Sequence, residues 1–427
     1  MSNNLFDELK WRGLVYDSTE GASNLLATEK VSVYNGFDPT GDSLHVGHLV
    51  PMVGLARLQR YGHHPIALAG GGTGMIGDPS GRSNERNLLS LDLIRHNVEC
   101  IQVQLASILD FEVKTNPARI VNNYDWLKDL SMIEYLRDVG KHFTINYMLG
   151  KDSVKNRIGR ESGLSYTEFS YMLLQSYDFL HLHDTLGVMM QTGGSDQWGN
   201  ITGGTQLIRK VRQKPAQAMV YPLITRADGT KFGKTADGTS VWLDPKKTSP
   251  YRFYQFFINT EDSKVLELMR FYTFLSQDQM AEYEVAVVEQ PHRRGAQKRL
   301  AQEVTRMVHG DTALSKAEQA TAVLFGGSLD GLDSADIADI FAEVPSSNIA
   351  KSALEGDGVA VADLLANTTL ASSKGDARRS LKGGSMNLNN VRITNGNQRI
   401  SLNDAIEGQF IVLRKGKKKY HLVKVEQ

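Results

Sequence analysis

The sequence predicts an α/β protein: a parallel sheet first, then an all-helical segment, then a small α+β module. Three observations predict it. Between residues 31 and 223, short apolar runs alternate with helical patterns, as they do when helices connect parallel strands. Each run ends in a polar or glycine-rich cluster, and ligands of such sheets sit at the carboxyl ends of the strands. From Pro250 the strand signals stop and long helical patterns follow, until short strands return near the carboxyl end.

Composition narrows the class. At 427 residues the chain needs more than one core. Lys and Arg together equal Asp and Glu at 48 each, so any nucleic-acid contact must come from local patches. Cys100 is the only cysteine, which excludes an internal disulfide and a cysteine zinc site and suits a reducing compartment. No basic-then-apolar leader opens the sequence, and no apolar run approaches membrane-spanning length, so no membrane partner is expected.

The first strand is Val31 to Gly36, which alternates apolar and polar residues. It enters Phe-Asp-Pro-Thr-Gly-Asp-Ser-Leu-His-Val-Gly-His, residues 37–48. Asp38-Pro39-Thr40-Gly41-Asp42 is turn chemistry. Helical spacing then begins at Leu49 and continues through Met52, Val53, Leu55 and Leu58. His45 and His48 fall on the first helical turn, where unpaired N–H groups and the positive dipole end are expected to attract an anion. Gly47 leaves room for a flat ring against the backbone. A nucleoside triphosphate suits this turn, with the purine on Gly47 and phosphates towards Thr40, His45 and His48. Ordinary surface or core histidines, or a metal pair, are the alternatives. Pro51 conflicts with a helix there.

The second strand, Pro65 to Ala69, runs into a glycine-rich loop from Gly70 to Gly81 with Asp78 as its one fixed charge. Arg82 and Arg86 follow and can face phosphates or solvent. The third strand, Ala118 to Val121, ends at Asn122-Asn123. The fourth, Gly187 to Gln191, ends at Gly193-Gly194-Ser195-Asp196-Gln197. The fifth candidate is Met219 to Leu223. A helix from Thr167 to His183 carries its apolar residues on one side and Tyr171, Gln175 and Asp178 on the other. Those three form a solvated face, or a pocket for an amino acid. In a pocket, the carboxylate and the amide hold an α-ammonium, or Asp178 instead takes a phenolic hydroxyl together with Tyr34. Residues 125–165 read as a helical insertion serving an interface. Lys231-Phe232-Gly233-Lys234-Thr235 lies in a turn-prone loop and reads as a mobile phosphate clamp or a charged surface loop.

After Pro250, Arg293, Arg294, Lys298, Arg299 and Arg306 make one helical side basic. Residues 326–356 are acidic and rich in Gly and Ser, as a linker with one short helix would be. The closing module places a capping serine before a basic helix bearing Lys374, Arg378 and Arg379, then a basic hairpin at Lys417, Lys418 and Lys419. Such a surface suits a phosphate backbone.

Five motifs stand in register: Tyr34 with Asp38-Pro39-Thr40 and His45-Val46-Gly47-His48; Gly77-Asp78-Pro79-Ser80; Tyr171, Gln175 and Asp178; Gly193 to Asn200; and Lys231 to Thr235. In that order they resemble bacterial tyrosyl-tRNA synthetases, which are class I aminoacyl-tRNA synthetases, over nearly the whole chain. The resemblance implies a Rossmann-like catalytic domain over 1–225 with an insertion at about 125–165. It implies a mobile lysine loop at 226–248, a helical anticodon-region domain at 249–325, a linker at 326–356 and an αL-type RNA-binding domain at 357–427. It implies activation of L-tyrosine by ATP to tyrosyl-adenylate and pyrophosphate, then transfer of tyrosine to the 3′-terminal ribose of tRNA(Tyr).

The site roles follow from the same resemblance. Thr40, His45, His48, Lys231, Lys234 and Thr235 are expected in catalysis. Tyr34, Asp78, Tyr171, Gln175, Asp178 and Gln197 are expected to hold tyrosine. Gly36, Asp38, Gly47, Gly194 and Asp196, with Lys234, are expected to hold ATP. Lys374, Arg378, Arg379 and Lys417 to Lys419 are expected on tRNA. Mg²⁺ would accompany ATP, with no metal held by the protein, in a cytoplasmic homodimer. Lys231 to Thr235 departs in three positions from the Lys-Met-Ser-Lys-Ser of the class. Asn35 stands where some relatives have cysteine, and is expected to tune a ribose contact. A nucleotidyltransferase also uses a His-x-Gly-His turn but has no need of the Tyr/Gln/Asp helix or the RNA module. A non-catalytic RNA-binding derivative could have lost the lysine loop, which is intact here. A tryptophanyl enzyme would not need the phenol-reading pair Tyr34 and Asp178.

Overall fold

A computed structural model describes residues 4–80, 89–159, 163–226, 229–230, 232–234, 238–416 and 419–426. The chain divides into two units, Met1–Thr248 with Ile258–Val308, and Ser249–Phe257 with His309–Gln427. The helical run expected as one domain over 249–325 is thus shared between the two. A physical break lies at the second boundary: within Gly295–Val323, Gly310 leaves helical geometry at φ 83° and ψ 173°.

The first unit is built on six strands: β1 (Asp17–Ser18), β2 (Ser32–Phe37), β3 (His64–Ala69), β4 (Arg119–Asn122), β5 (Val188–Gly194) and β6 (Gln217–Tyr221). Their order is β1-β6-β5-β2-β3-β4. Five run parallel, and β1 pairs antiparallel at the edge. The sequence does not announce β1, because two residues leave no periodicity. β3 is buried from Pro65 to Ala69, as a parallel strand covered on both faces should be. The sheet changes direction at β2, with β3 and β4 to one side and β5 and β6 to the other. The crevice at the carboxyl ends of β2 and β5 is therefore the topological switch point. In register, Tyr34 of β2 lies between Ile66 of β3 and Gln191 of β5.

Two helices position the crevice. A 3₁₀ turn over Val46–His48 leads into helix Leu49–Arg60. Pro51 falls in its first turn, where the missing N–H would have no helical partner anyway, and the conflict disappears. Helix Tyr166–Leu186 starts at Ser165, whose side chain accepts from the Glu168 N–H, and stops at Gly187 with φ 63°. Met172, Leu173, Phe179 and Leu182 of this helix pack in one core with Tyr34, Ile66 and Leu68 of the sheet. That packing turns its other side towards the strand ends.

The second unit holds β7 (Ser346–Ala350), β8 (Val359–Ala360), β9 (Met386–Leu388), β10 (Val391–Arg392), β11 (Arg399–Ile400), β12 (Phe410–Lys415) and β13 (Lys419–Glu426). Five of them form a sheet ordered β10-β9-β12-β13-β7, and β8 pairs with β11. The segment 326–356, expected as a linker, is folded into this unit. It supplies helix Ser334–Ile340 and strand β7, which pairs parallel with β13. Leu329, Leu332, Ile337, Ile340 and Phe341 are buried with Val412, Tyr420 and Leu422. Helix Lys374–Lys382, capped by Ser373, buries Ala377 and Leu381 and leaves its basic residues outside. Among the described residues no helix is long and apolar enough to cross a membrane.

Candidate active site

The histidine turn differs from its expectation in an informative way. Its N–H groups are not open. The Gly47 N–H donates to His45 Nδ1 at 3.1 Å, and the His45 N–H to His48 Nδ1 at 3.1 Å. The Val46 N–H reaches the Val241 carbonyl at 3.0 Å, and the His48 N–H the His45 carbonyl at 2.8 Å. The two rings stack with centroids 4.0 Å apart. Because each Nδ1 accepts, a neutral ring must carry its proton on Nε2. Burial, and then the neighbouring His45, hold the His48 pKa well below the ordinary histidine value. The backbone amides of the turn are therefore taken up by protein acceptors, and in a neutral ring only Nε2 is left as a donor. A Cβ at Gly47 would sit 2.8 Å from His45 Cε1, so the neighbouring ring is itself one reason for a glycine there.

Thr40 and Gly36 are exposed at the end of β2. Asp38 is engaged by protein groups. Its Oδ2 accepts from the Tyr171 hydroxyl at 2.8 Å and its Oδ1 from Thr73 Oγ1 at 2.8 Å. Asn123, fully buried, ties the glycine-rich loop to Asp178. Its Nδ2 donates to Thr73 Oγ1 at 2.9 Å and to Asp178 Oδ2 at 2.8 Å, and its Oδ1 accepts from the Gly72 N–H at 2.7 Å. Trp126 Nε1 donates to Asp178 Oδ1 at 2.7 Å, and its ring stacks on His181. Burial raises the Asp178 pKa to about 7 against these two donors, which pull it down. Tyr34, 1 % exposed, has a hydroxyl without a partner among the described residues. Burial, and then the charge of Asp178, push its pKa well up.

A second polar group gathers on Asp78. Its Oδ2 accepts from Gln197 Nε2 at 2.6 Å and its Oδ1 from the Ser80 N–H at 2.9 Å, with Asn200 Nδ2 at 3.4 Å. Gln175 Oε1 is buried and unpartnered among the described residues. Asn35 Oδ1 accepts from Thr192 Oγ1 of β5 at 3.2 Å. Gly194 ends β5, where a Cβ would lie 2.7 Å from Asp196 Oδ1, so these two residues are adjacent. Asp196 is exposed.

The lysine loop meets the histidine turn through the backbone. The Val241 N–H donates to the Gly233 carbonyl, and His45 bridges antiparallel to Trp242. Gly233 has φ 109°, and a Cβ there would lie 3.2 Å from Val46 Cγ2. Lys234 is exposed beside this contact. Lys231, Thr235, Lys417 and Lys418 lie outside the described residues, as do Arg82 and Arg86. In the second unit Arg378 and Lys419 are exposed. Lys374 pairs with Asp363 at 3.1 Å and Arg379 with Asp376 at 3.7 Å.

Thr73, Asn123, Trp126 and Asn200 enter the site without having been given a role from the sequence, although Asn123 closes the third strand and Asn200 the Gly193 motif. Asn123 and Asn200 sit at strand ends or beside them, the one signal that could have found them. Trp126 carried none.

Residues 26–326 match the family model of class I tRNA synthetases (W and Y). The chain belongs to that family of class I tRNA synthetases. Residues 336–423 match the tyrosine–tRNA ligase SYY-like C-terminal domain. The chain is 55% identical to the tyrosine–tRNA ligase of Roseiflexus castenholzii over 99% of both chains. It is 49% identical to tyrosine–tRNA ligase 1 of Bacillus subtilis over 98% of this chain and 99% of that one. Among solved structures it is similar to a C-terminally truncated mitochondrial tyrosyl-tRNA synthetase of Aspergillus nidulans, with TM-score 0.68 and 30% identity over 75% of this chain and 93% of that one.

Proposed function

We infer that the chain is a tyrosine–tRNA ligase that forms tyrosyl-adenylate from L-tyrosine and ATP and then esterifies tRNA(Tyr). The observation that carries the tyrosine assignment is the unpartnered, buried Tyr34 hydroxyl beside the Asp178 carboxylate. A buried polar atom without a partner is uncommon and calls for a ligand group. A phenol completes this pair: it donates to Asp178 and accepts from Tyr34. Gln175 Oε1, Asp78 and the Tyr171 hydroxyl offer acceptors for an α-ammonium, with Gln197 holding Asp78. Tyr171 and Asp178 are seven residues apart, about 10 Å along the helix axis, enough to separate the two ends of one amino acid.

In the first step the tyrosine carboxylate attacks the α-phosphorus of ATP and pyrophosphate leaves. The carboxylate is already a nucleophile, so no base is required. Catalysis is then positioning and stabilisation of charge developing on the β- and γ-phosphates. His45, Thr40, Lys231, Lys234 and Thr235 are assigned to those phosphates. His48, Gly47, Gly36, Asp38, Gly194 and Asp196 are assigned to the nucleoside. Mg²⁺ arrives with ATP as part of that substrate. In the second step a terminal ribose hydroxyl of tRNA attacks the adenylate carbonyl, releasing AMP and a proton. Lys374, Arg378, Arg379 and Lys417 to Lys419 are assigned to RNA phosphates.

The helical insertion leaves Met132, Ile133, Leu136 and Ile145 exposed, which supports a homodimer packed on that face. The single cysteine supports a cytoplasmic location.

The test is tyrosine-dependent pyrophosphate exchange, assayed with each amino acid. Tyrosine is expected to be preferred over phenylalanine by about 10⁵, a magnitude that belongs to enzymes of this type in general and is adopted from them. Tyr34→Phe and Asp178→Ala together should erode that ratio. Exchange with tryptophan in place of tyrosine, or unchanged discrimination in the double variant, would overturn the assignment.

A further inference from the structure

Tyr272 is fully buried and ends helix Asp262–Tyr272. It touches both signature segments of the first unit. Its hydroxyl donates to the Val46 carbonyl at 2.9 Å, between His45 and Gly47. Its ring lies 6.3 Å, centroid to centroid, from that of Phe232 in the lysine loop. Those segments also meet each other, through Gly233 against Val46 and through the backbone at Val241, which bonds to both Val46 and Gly233. Tyr272 thus closes a triangle whose other two corners are the histidine turn and the lysine loop.

The helix end that carries Tyr272 is held by two buried arginines. Arg57 donates to the Arg270 carbonyl at 3.1 Å and the Thr273 carbonyl at 2.6 Å. Arg12 donates to the same two carbonyls at 3.1 Å each and to Leu275 at 2.7 Å, and pairs with Glu8. Cations on the last carbonyls of a helix oppose its dipole and satisfy acceptors that have no helical partner. The post is therefore rigid where it meets the two segments.

We propose that Tyr272 is a positioning residue for tyrosine activation, setting the histidine turn and the lysine loop in register around the ATP phosphates. It touches no substrate. The assignment rests on reading those two segments as the phosphate-handling parts. Reacting groups misplaced by a fraction of an ångström lose rate while ground-state binding of the amino acid survives.

The experiment compares Tyr272→Phe, Tyr272→Leu, Phe232→Leu and the double variant Tyr272→Leu/Phe232→Leu in the full chain. The readouts are the rate of pyrophosphate exchange at saturating tyrosine and the equilibrium affinity for tyrosine. Tyr272→Phe keeps the ring and loses one hydrogen bond, so exchange should fall by about three- to tenfold. Tyr272→Leu should fall further, on the order of 100-fold, with Phe restoring part of the loss. Tyrosine affinity should stay within about twofold in both. The double variant should lose less than the product of the single losses, because both changes disrupt the same ring packing. Unchanged exchange, a loss of tyrosine affinity in step with the rate, or multiplicative losses in the double variant would overturn the proposal. Lys234→Ala, run alongside, tests the underlying reading separately: if exchange does not slow, the lysine loop does not handle phosphate, whatever Tyr272 does.

Discussion

Asp178 sits where burial and chemistry pull in opposite directions. Its pKa rises to about 7 from the usual 3.8, mainly through burial, although Asn123 and Trp126 both donate to it. A native value above the unfolded one means that the folded state keeps a proton the unfolded chain has released. Stability therefore falls as pH rises from about 4 to about 7, by at most about 4 kcal/mol from this one group. Asp178→Asn removes the titration. The unfolding free energy of that variant should gain on wild type between pH 5 and pH 8, measured as a difference so that other groups cancel. A difference that does not move with pH would mean the carboxylate is already ionised in the native state at pH 5. Residues of this kind were half visible. The i, i+4, i+7 spacing of Tyr171, Gln175 and Asp178 marked the face, but Asn123 and Trp126 reach Asp178 across more than 50 positions. No local pattern encodes such a contact.

Elements were readable wherever periodicity was strong. The five parallel strands each fall within a few residues of their expected runs: β3, β5 and β6 are almost wholly buried and so nearly continuous in apolar or small residues, while β4 at the edge is partly exposed. The histidine turn was placed correctly along the chain, yet its open amides were not there. Its caps come from the histidines themselves and from Val241, almost 200 positions away. The helix Tyr166–Leu186 shows a second long-range dependence. Glu168 in its first turn is paired with Arg157 of the insertion at 2.8 and 3.1 Å, and both side chains are 1 % exposed. Arg157→Ala would leave a buried carboxylate without its partner. It should cost about 3–5 kcal/mol of stability, while replacing both with apolar residues of similar size should cost much less. Chemical denaturation of the three proteins checks this. Equal losses for the single and double replacements would show that shape, not the stranded charge, sets the cost.

At the scale of the whole molecule, the second unit was recognised by its basic helix and hairpin, while its amino-terminal part was hidden. Residues 326–356 look like a linker because Gly, Ser and acidic residues dominate them. Their apolar minority, Leu329, Ile337, Ile340 and Phe341, is buried against strands about 80 residues later in the sequence. Cutting the chain near Ser352 would strip β7 of β13 and expose that core, so RNA binding is better tested by surface substitution in the full chain. Lys374 and Arg379 sit in exposed ion pairs with Asp363 and Asp376, which are worth little and are easily exchanged for RNA phosphates. Lys419 faces Lys415 directly across the β12–β13 hairpin. Lys415 is offset within the protein, since its Nζ lies 3.6 Å from Asp376 Oδ2 and donates to the Leu370 carbonyl at 3.0 Å, which leaves Lys419 as the exposed cation of that pair. Changing Lys374, Arg378, Arg379 and Lys419 to Gln leaves Ala377 and Leu381 in the core and removes up to four cations from the surface assigned to RNA. The log–log slope of tRNA affinity against salt should flatten by roughly one unit for each phosphate that is no longer neutralised. Tyrosine-dependent pyrophosphate exchange should be unchanged, because every residue assigned to tyrosine and ATP precedes Ser249. Transfer to tRNA should fall through a raised KM. Identical salt slopes for the two proteins would show that this face does not hold tRNA, and the basic helix would then need another partner.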